Sequence, residues 1–81
     1  MTIQKVYAAV APLAQQVLQI PCFDSSVTML STPSWDSLTH VRFLSALEQK
    51  FSIEISGDDA FKLTSADKLV RYLDARLGEE A

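Results

Sequence analysis

The stretch Asp36-Ser37-Leu38-Thr39-His40-Val41-Arg42-Phe43-Leu44-Ser45-Ala46-Leu47-Glu48-Gln49-Lys50-Phe51 decides how this chain folds. On a wheel of about 100° per residue, Phe43, Leu44, Leu47 and Phe51 form one apolar stripe, with His40 in its middle. Leu38 and Val41 form a second, displaced stripe on the same side as Ser37, Ser45 and Glu48. One stripe packs a core and the other is left for something else. Asp36 suits the N-cap position, where a short acidic side chain accepts opening amide hydrogens. The spacing predicts a helix from Ser37 to Phe51. Its first residue is a serine beside a carboxylate, where backbone N–H groups lack partners and the local field favours a phosphate.

Toward the N-terminus, Ile3, Val6, Tyr7, Val10, Leu13, Ala14, Val17 and Leu18 share one face and predict a helix over 3–19. Pro12 falls on its solvent side. It removes one hydrogen bond and frees the Ala8 carbonyl, so the helix either kinks there or restarts near Ala11. Residues 20–35 hold Pro21, Pro33, Asp24, four serines and two threonines, which is loop chemistry. A loop of that length is functional or packed by its own side chains. Phe23 and Leu30 are expected to pin it.

Toward the C-terminus, Ile53 and Ile55 form a short extended link. Ser56 with Asp59 resembles a capping box for a short helix through Lys62. Thr64 with Asp67 repeats that signal for a last helix over about 65–77, with Leu69, Val70, Leu73 and Leu77 on its apolar face. Gly78 is expected to close it as a C′ residue, with a frayed tail beyond. The expected fold class is all-α: a small four-helix bundle with a long loop between the first two helices. Helices fall at 3–19, 37–51, 57–62 and 65–77 in one domain over 1–81.

Composition sets limits. Eighty-one residues with 48% hydrophobic content support one modest core. A net charge of −3 disfavours nucleic acid and anionic membranes and suits basic protein partners. One cysteine, Cys22, excludes an internal disulfide, and one histidine with one cysteine excludes a metal cluster of usual spacing. No signal-peptide pattern or membrane-length apolar run is present in the sequence, so a cytoplasmic monomer is expected.

Taken together, Asp36-Ser37-Leu38, then Ala46-Leu47-Glu48 and Phe51, then Ile53 and Ile55, then Thr64, Leu69 and Tyr72-Leu73 resemble the acyl and peptidyl carrier protein family. The order and spacing hold over 35–77. The resemblance implies a small bundle of three main helices and one short one. It implies a 4′-phosphopantetheine arm, moved from coenzyme A by a phosphopantetheinyl transferase onto the serine of the tripeptide, here Ser37. It further implies an arm thiol that carries acyl or aminoacyl thioesters between a loading ligase and downstream acyltransferase or synthase enzymes. The protein itself would not be an enzyme. Asp36, Leu38, Val41, Trp35 and Glu48 are the expected partner contacts. Thr39, Arg42, Gln49 and Lys50 stand where fatty acid synthesis carriers are often acidic, and Trp35 stands where a small or aliphatic residue is usual. These departures point to a stand-alone carrier for a specialised pathway.

Plainer readings stand beside these. Ser37 could be a simple helix-start serine, and the chain a small helical interaction module that docks through Leu38, Val41 and Trp35. His40, three residues after Ser37, suggests a Ser–His–Asp site. Neighbours on one short helix cannot supply a third orienting group, an oxyanion site and a pocket. A core histidine with a hydrogen-bond partner is the simpler expectation. Trp35 either packs the loop onto the second helix or touches a partner. Asp58 and Asp59 favour a helix start, and Lys68, Arg71 and Arg76 read as a solvated face.

Overall fold

The computed structural model describes residues 2–80. Four helices follow in chain order: α1 Ile3–Leu18, α2 Ser37–Phe51, α3 Gly57–Ala60 and α4 Ala66–Glu80. α1 opens on Thr2, whose hydroxyl accepts the Lys5 amide at 3.2 Å. It runs through Pro12 without a break, the ring on its exposed side, so the chain does not restart near Ala11. It ends one residue before the expected position, because Gln19 turns left-handed at φ 55°. α2 ends the same way at Ser52, φ 55°. Left-handed backbone costs a residue with a Cβ about 1–2 kcal/mol. Here it lets the Ile20 and Ile53 amides reach back to the Gln15 and Glu48 carbonyls at 3.3 and 3.1 Å. Ile53, just past the second of these caps, is buried.

The core follows the expected stripes. Val6, Val10, Ala14 and Leu18 of α1 meet Phe43, Leu44 and Leu47 of α2 and Ala66, Leu69, Val70 and Leu73 of α4. Phe23 and Trp35, from the long loop, close it. Both approach Phe43 edge-on, with centroids 6.1 and 5.8 Å away.

Several expectations are corrected. Leu30 does not pin the loop; it is fully exposed. Thr28 and Ser31 tie a tight turn together through their hydroxyls and amides, which throws Leu30 outward. The loop is instead held by Phe23 and by a two-residue bridge. In that bridge the Met29 amide donates to the Thr64 carbonyl at 3.0 Å and the Ala66 amide to Val27 at 2.9 Å. α3 is a single turn that stops at Ala60, not Lys62. The chain then continues in turns that send Leu63 into the core and leave Phe61 outside. α4 is capped by Ser65, which accepts the Lys68 amide at 3.2 Å, so Thr64 is not the cap. Gly78 lies inside α4, which reaches Glu80. Its φ is not positive, and nothing after it forbids helix. Of the expected frayed tail, Ala81 lies outside the described residues.

Candidate functional site

The site begins at the first turn of α2. Asp36 adopts extended backbone, and its Oδ1 accepts the Thr39 amide at 2.9 Å. That bond holds the Asp36 carboxyl below the usual carboxylate range. Its carbonyl accepts the His40 amide at 2.8 Å, so the helical ladder starts at once. Ser37 is thereby the first helical residue, exposed, at the end where amides point outward without helical partners.

Beside Ser37 opens an apolar groove of about 330 Å³ between α2 and α3. Val41 and Leu44 line the α2 side; Gly57, Ala60 and Phe61 line the other; Met29 and Thr64 close one end; and His40 lies at the base. Leu38 and Val41 are 62% and 65% exposed, which makes them the outer stripe anticipated from their spacing. Phe61, 84% exposed, lines the same groove as Val41.

His40 is buried and makes two hydrogen bonds that define its state. The Trp35 indole N–H can only donate, and it lies 2.9 Å from Nδ1. Nδ1 is therefore the acceptor and Nε2 carries the proton, which it donates to the Ala60 carbonyl at 2.9 Å. The ring joins the loop, α2 and α3. It does not serve Ser37 as a base, so the serine has no triad.

Two expected partner contacts sit differently. Trp35 is 1% exposed, so it is not available to a partner. Its indole must be buried to meet both Phe43 and His40. Glu48 is half-buried, and its Oε2 accepts the Ile55 amide at 2.8 Å, bracing the link to α3. The far side of α3 is tied to α4. The Tyr72 hydroxyl donates to Asp59 at 3.2 Å and accepts from Arg76 at 2.6 Å, while Arg76 also donates to the Glu54 carbonyl at 2.8 Å. Arg76 is thus a brace, not part of a solvated face. Burial pushes the Tyr72 hydroxyl above its ordinary pKa. Met29, Gly57, Ala60, Phe61 and Thr64 escaped the sequence reading as site residues. Phe61 carried the one usable signal, an aromatic side chain after a short helix with no stripe to join.

Residues 34–73 match the family model of the phosphopantetheine attachment site. This stretch of the chain carries the attachment-site pattern of the phosphopantetheine-binding family. Acyl carrier proteins are among the similar proteins. An acyl carrier protein of Buchnera aphidicola subsp. Schizaphis graminum (strain Sg) is 39% identical over 49 residues, 60% of this chain and 62% of that protein. An acyl carrier protein of Campylobacter jejuni (strain RM1221) is 49% identical over 39 residues, 48% of this chain and 51% of that protein. The chain therefore spans between half and two thirds of these relatives' lengths. The matched family pattern implies a covalently attached 4′-phosphopantetheine group. The site suits it: an exposed hydroxyl at a helix N-terminus, opening onto an apolar groove.

Proposed function

We propose that Ser37 bears the 4′-phosphopantetheine arm and that the protein carries acyl or aminoacyl groups on it between biosynthetic enzymes. The supporting observation is the placement of Ser37, exposed at the first residue of α2 and at the mouth of the groove. The Ser37 Oγ attacks the phosphorus that bears pantetheine in coenzyme A. An Oγ–P bond forms, the diphosphate linkage breaks, adenosine 3′,5′-bisphosphate leaves, and the serine proton passes to the transferase or water. The arm supplies a thiol that holds cargo as an activated thioester on a long tether, raising its local concentration at each enzyme. The chain supplies the anchor. Outward amides of α2 and its dipole favour the phosphodiester by about 0.3–1 kcal/mol, and Asp36 fixes the turn that exposes Ser37. The protein is a carrier and not an enzyme.

A phosphopantetheinyl transferase, a loading ligase and downstream acyltransferase or synthase enzymes are its partners, and the cytoplasm is its place. Among the described residues no helix is long and apolar enough to cross a membrane. A specialised pathway is favoured over housekeeping fatty acid synthesis by α2 itself. Thr39, Arg42, Gln49 and Lys50 replace acidic positions, and the remaining acid, Glu48, is engaged by the Ile55 amide. Ser37→Ala should abolish the gain of a phosphopantetheine unit from coenzyme A and leave the melting curve in place. Continued labelling of that variant would move the attachment point elsewhere.

A further inference from the structure

The chain has one histidine, His40, and one tryptophan, Trp35, and the two are hydrogen-bonded to each other in the core. His40 also lies at the base of the groove beside Ser37. The Trp35 indole N–H donates to Nδ1 at 2.9 Å, and Nε2 lies 2.9 Å from the Ala60 carbonyl. An indole N–H only donates and a carbonyl only accepts, so this relay fits one state of the ring: neutral, with its proton on Nε2. A second proton, on Nδ1, would set two N–H groups against each other.

The surroundings do not relieve that clash. Trp35 is buried and packed edge-on against Phe43, which fixes the indole. His40 sits in the first turn of α2, where the positive end of the helix opposes a cation. The charged groups on the elements about the ring are engaged elsewhere or face water. Asp36 accepts the Thr39 amide, Glu48 the Ile55 amide and Asp59 the Tyr72 hydroxyl, while Arg42, Asp58 and Lys62 are exposed. The acids among them favour a cation and the bases oppose it, both through solvent that screens them. The clash at Nδ1 acts at bond distance in the interior, where an unmatched polar group costs most, and outweighs them. Because the ring borders the groove, it leaves Trp35 by swinging into that space, and the same swing gives up the Ala60 carbonyl.

We infer that Trp35, His40 and Ala60 form a proton-sensitive latch under the groove. It is closed while His40 is neutral. A second proton opens it and puts a cation into an apolar space. The unlatched ring is free to bind that proton and the latched ring is not. The unlatched population therefore grows as pH falls below about 6.5, where free imidazole titrates, by up to about tenfold per pH unit. The inference stands apart from Ser37 being the attachment point.

The test follows hydrogen exchange of the Trp35 indole N–H, the His40 Nε2–H and the α1 amides by NMR on the full chain. It compares either side of the imidazole range, at about pH 7.5 and about pH 5.5, with each rate corrected for its intrinsic pH dependence. Protection of the indole and of the Nε2–H falls together by about tenfold at the lower pH, and α1 holds. In His40→Leu, indole protection is the same at both pH values, because the titrating ring is gone. Should that variant fail to fold, the wild-type ring nitrogens answer alone: Nε2 carries the proton at the higher pH, and Nδ1 gains one only as indole protection is lost. Indole protection that stays flat in the wild type, a ring that takes its second proton with the indole still protected, or an equal loss across α1 overturns the latch. So does a folded His40→Leu that keeps the wild-type pH dependence.

Discussion

α1 and α4 each place four fully buried side chains in the core: Val6, Val10, Ala14 and Leu18 from one, Ala66, Leu69, Val70 and Leu73 from the other. α3, on the groove side of α2, places none. It is held at its edges by Ile53 and Leu63, by the partial burial of Ile55 and Ala60, and by hydrogen bonds: His40 to Ala60, Tyr72 to Asp59, and Arg76 to the Glu54 carbonyl. A buried aliphatic side chain contributes about 2–5 kcal/mol when judged by truncation, a net hydrogen bond about 0.5–1.5. The bundle is thus fixed by burial, and the wall of the groove by weaker directional ties. That wall can yield locally while the rest of the fold stays intact.

The largest effect is expected at Leu47, which is fully buried. Leu47→Ala should lower stability by about 2–5 kcal/mol and shift the whole cooperative melt. An unchanged curve would show that the inner stripe of α2 does not hold the bundle. Tyr72→Phe should act on the other region. It removes the Asp59 and Arg76 bonds at a cost of about 0.5–1.5 kcal/mol each. Amide exchange should quicken over residues 57–62 and hold steady in α1. Equal acceleration in every helix would mean that α3 belongs to the same cooperative unit as the core. The smallest effect is electrostatic. The carboxyls of Asp36, held by the Thr39 amide, and Asp24, held by Ser26, are both lowered in the fold. A lowered carboxyl adds stability above its unfolded pKa, and that stability is lost as pH falls through the folded value. The melting temperature should therefore slip as pH drops below about 4. Asp36→Asn, which keeps a capping oxygen, should flatten the slope. A parallel slope in that variant would show that Asp36 contributes nothing to it.

The same division governs what the residues revealed before the structure. α2 was legible at both ends, because Asp36 caps it through a local bond and both stripes follow helical spacing. α1 was legible to within one residue. What escaped depends on partners distant in the chain. Leu30 looked like an anchor until the Thr28–Ser31 turn and the Met29–Thr64 pairing turned it outward. Trp35 offered two readings, and only its contact with His40 and Phe43 selects the buried one. The far wall of the groove, Ala60 and Phe61, sits on a one-turn helix too short to show a periodicity. Gly78 misled because a glycine marks a helix end only where the backbone goes left-handed, and here it does not.

The central claim is that Ser37 anchors the arm. Intact-mass measurement before and after incubation with coenzyme A and the organism's phosphopantetheinyl transferase, with fragmentation to locate the adduct, tests it most directly. The expected result is a gain of one phosphopantetheine unit on Ser37. A folded chain that gains nothing from an active transferase, or gains the unit at another residue, would contradict it.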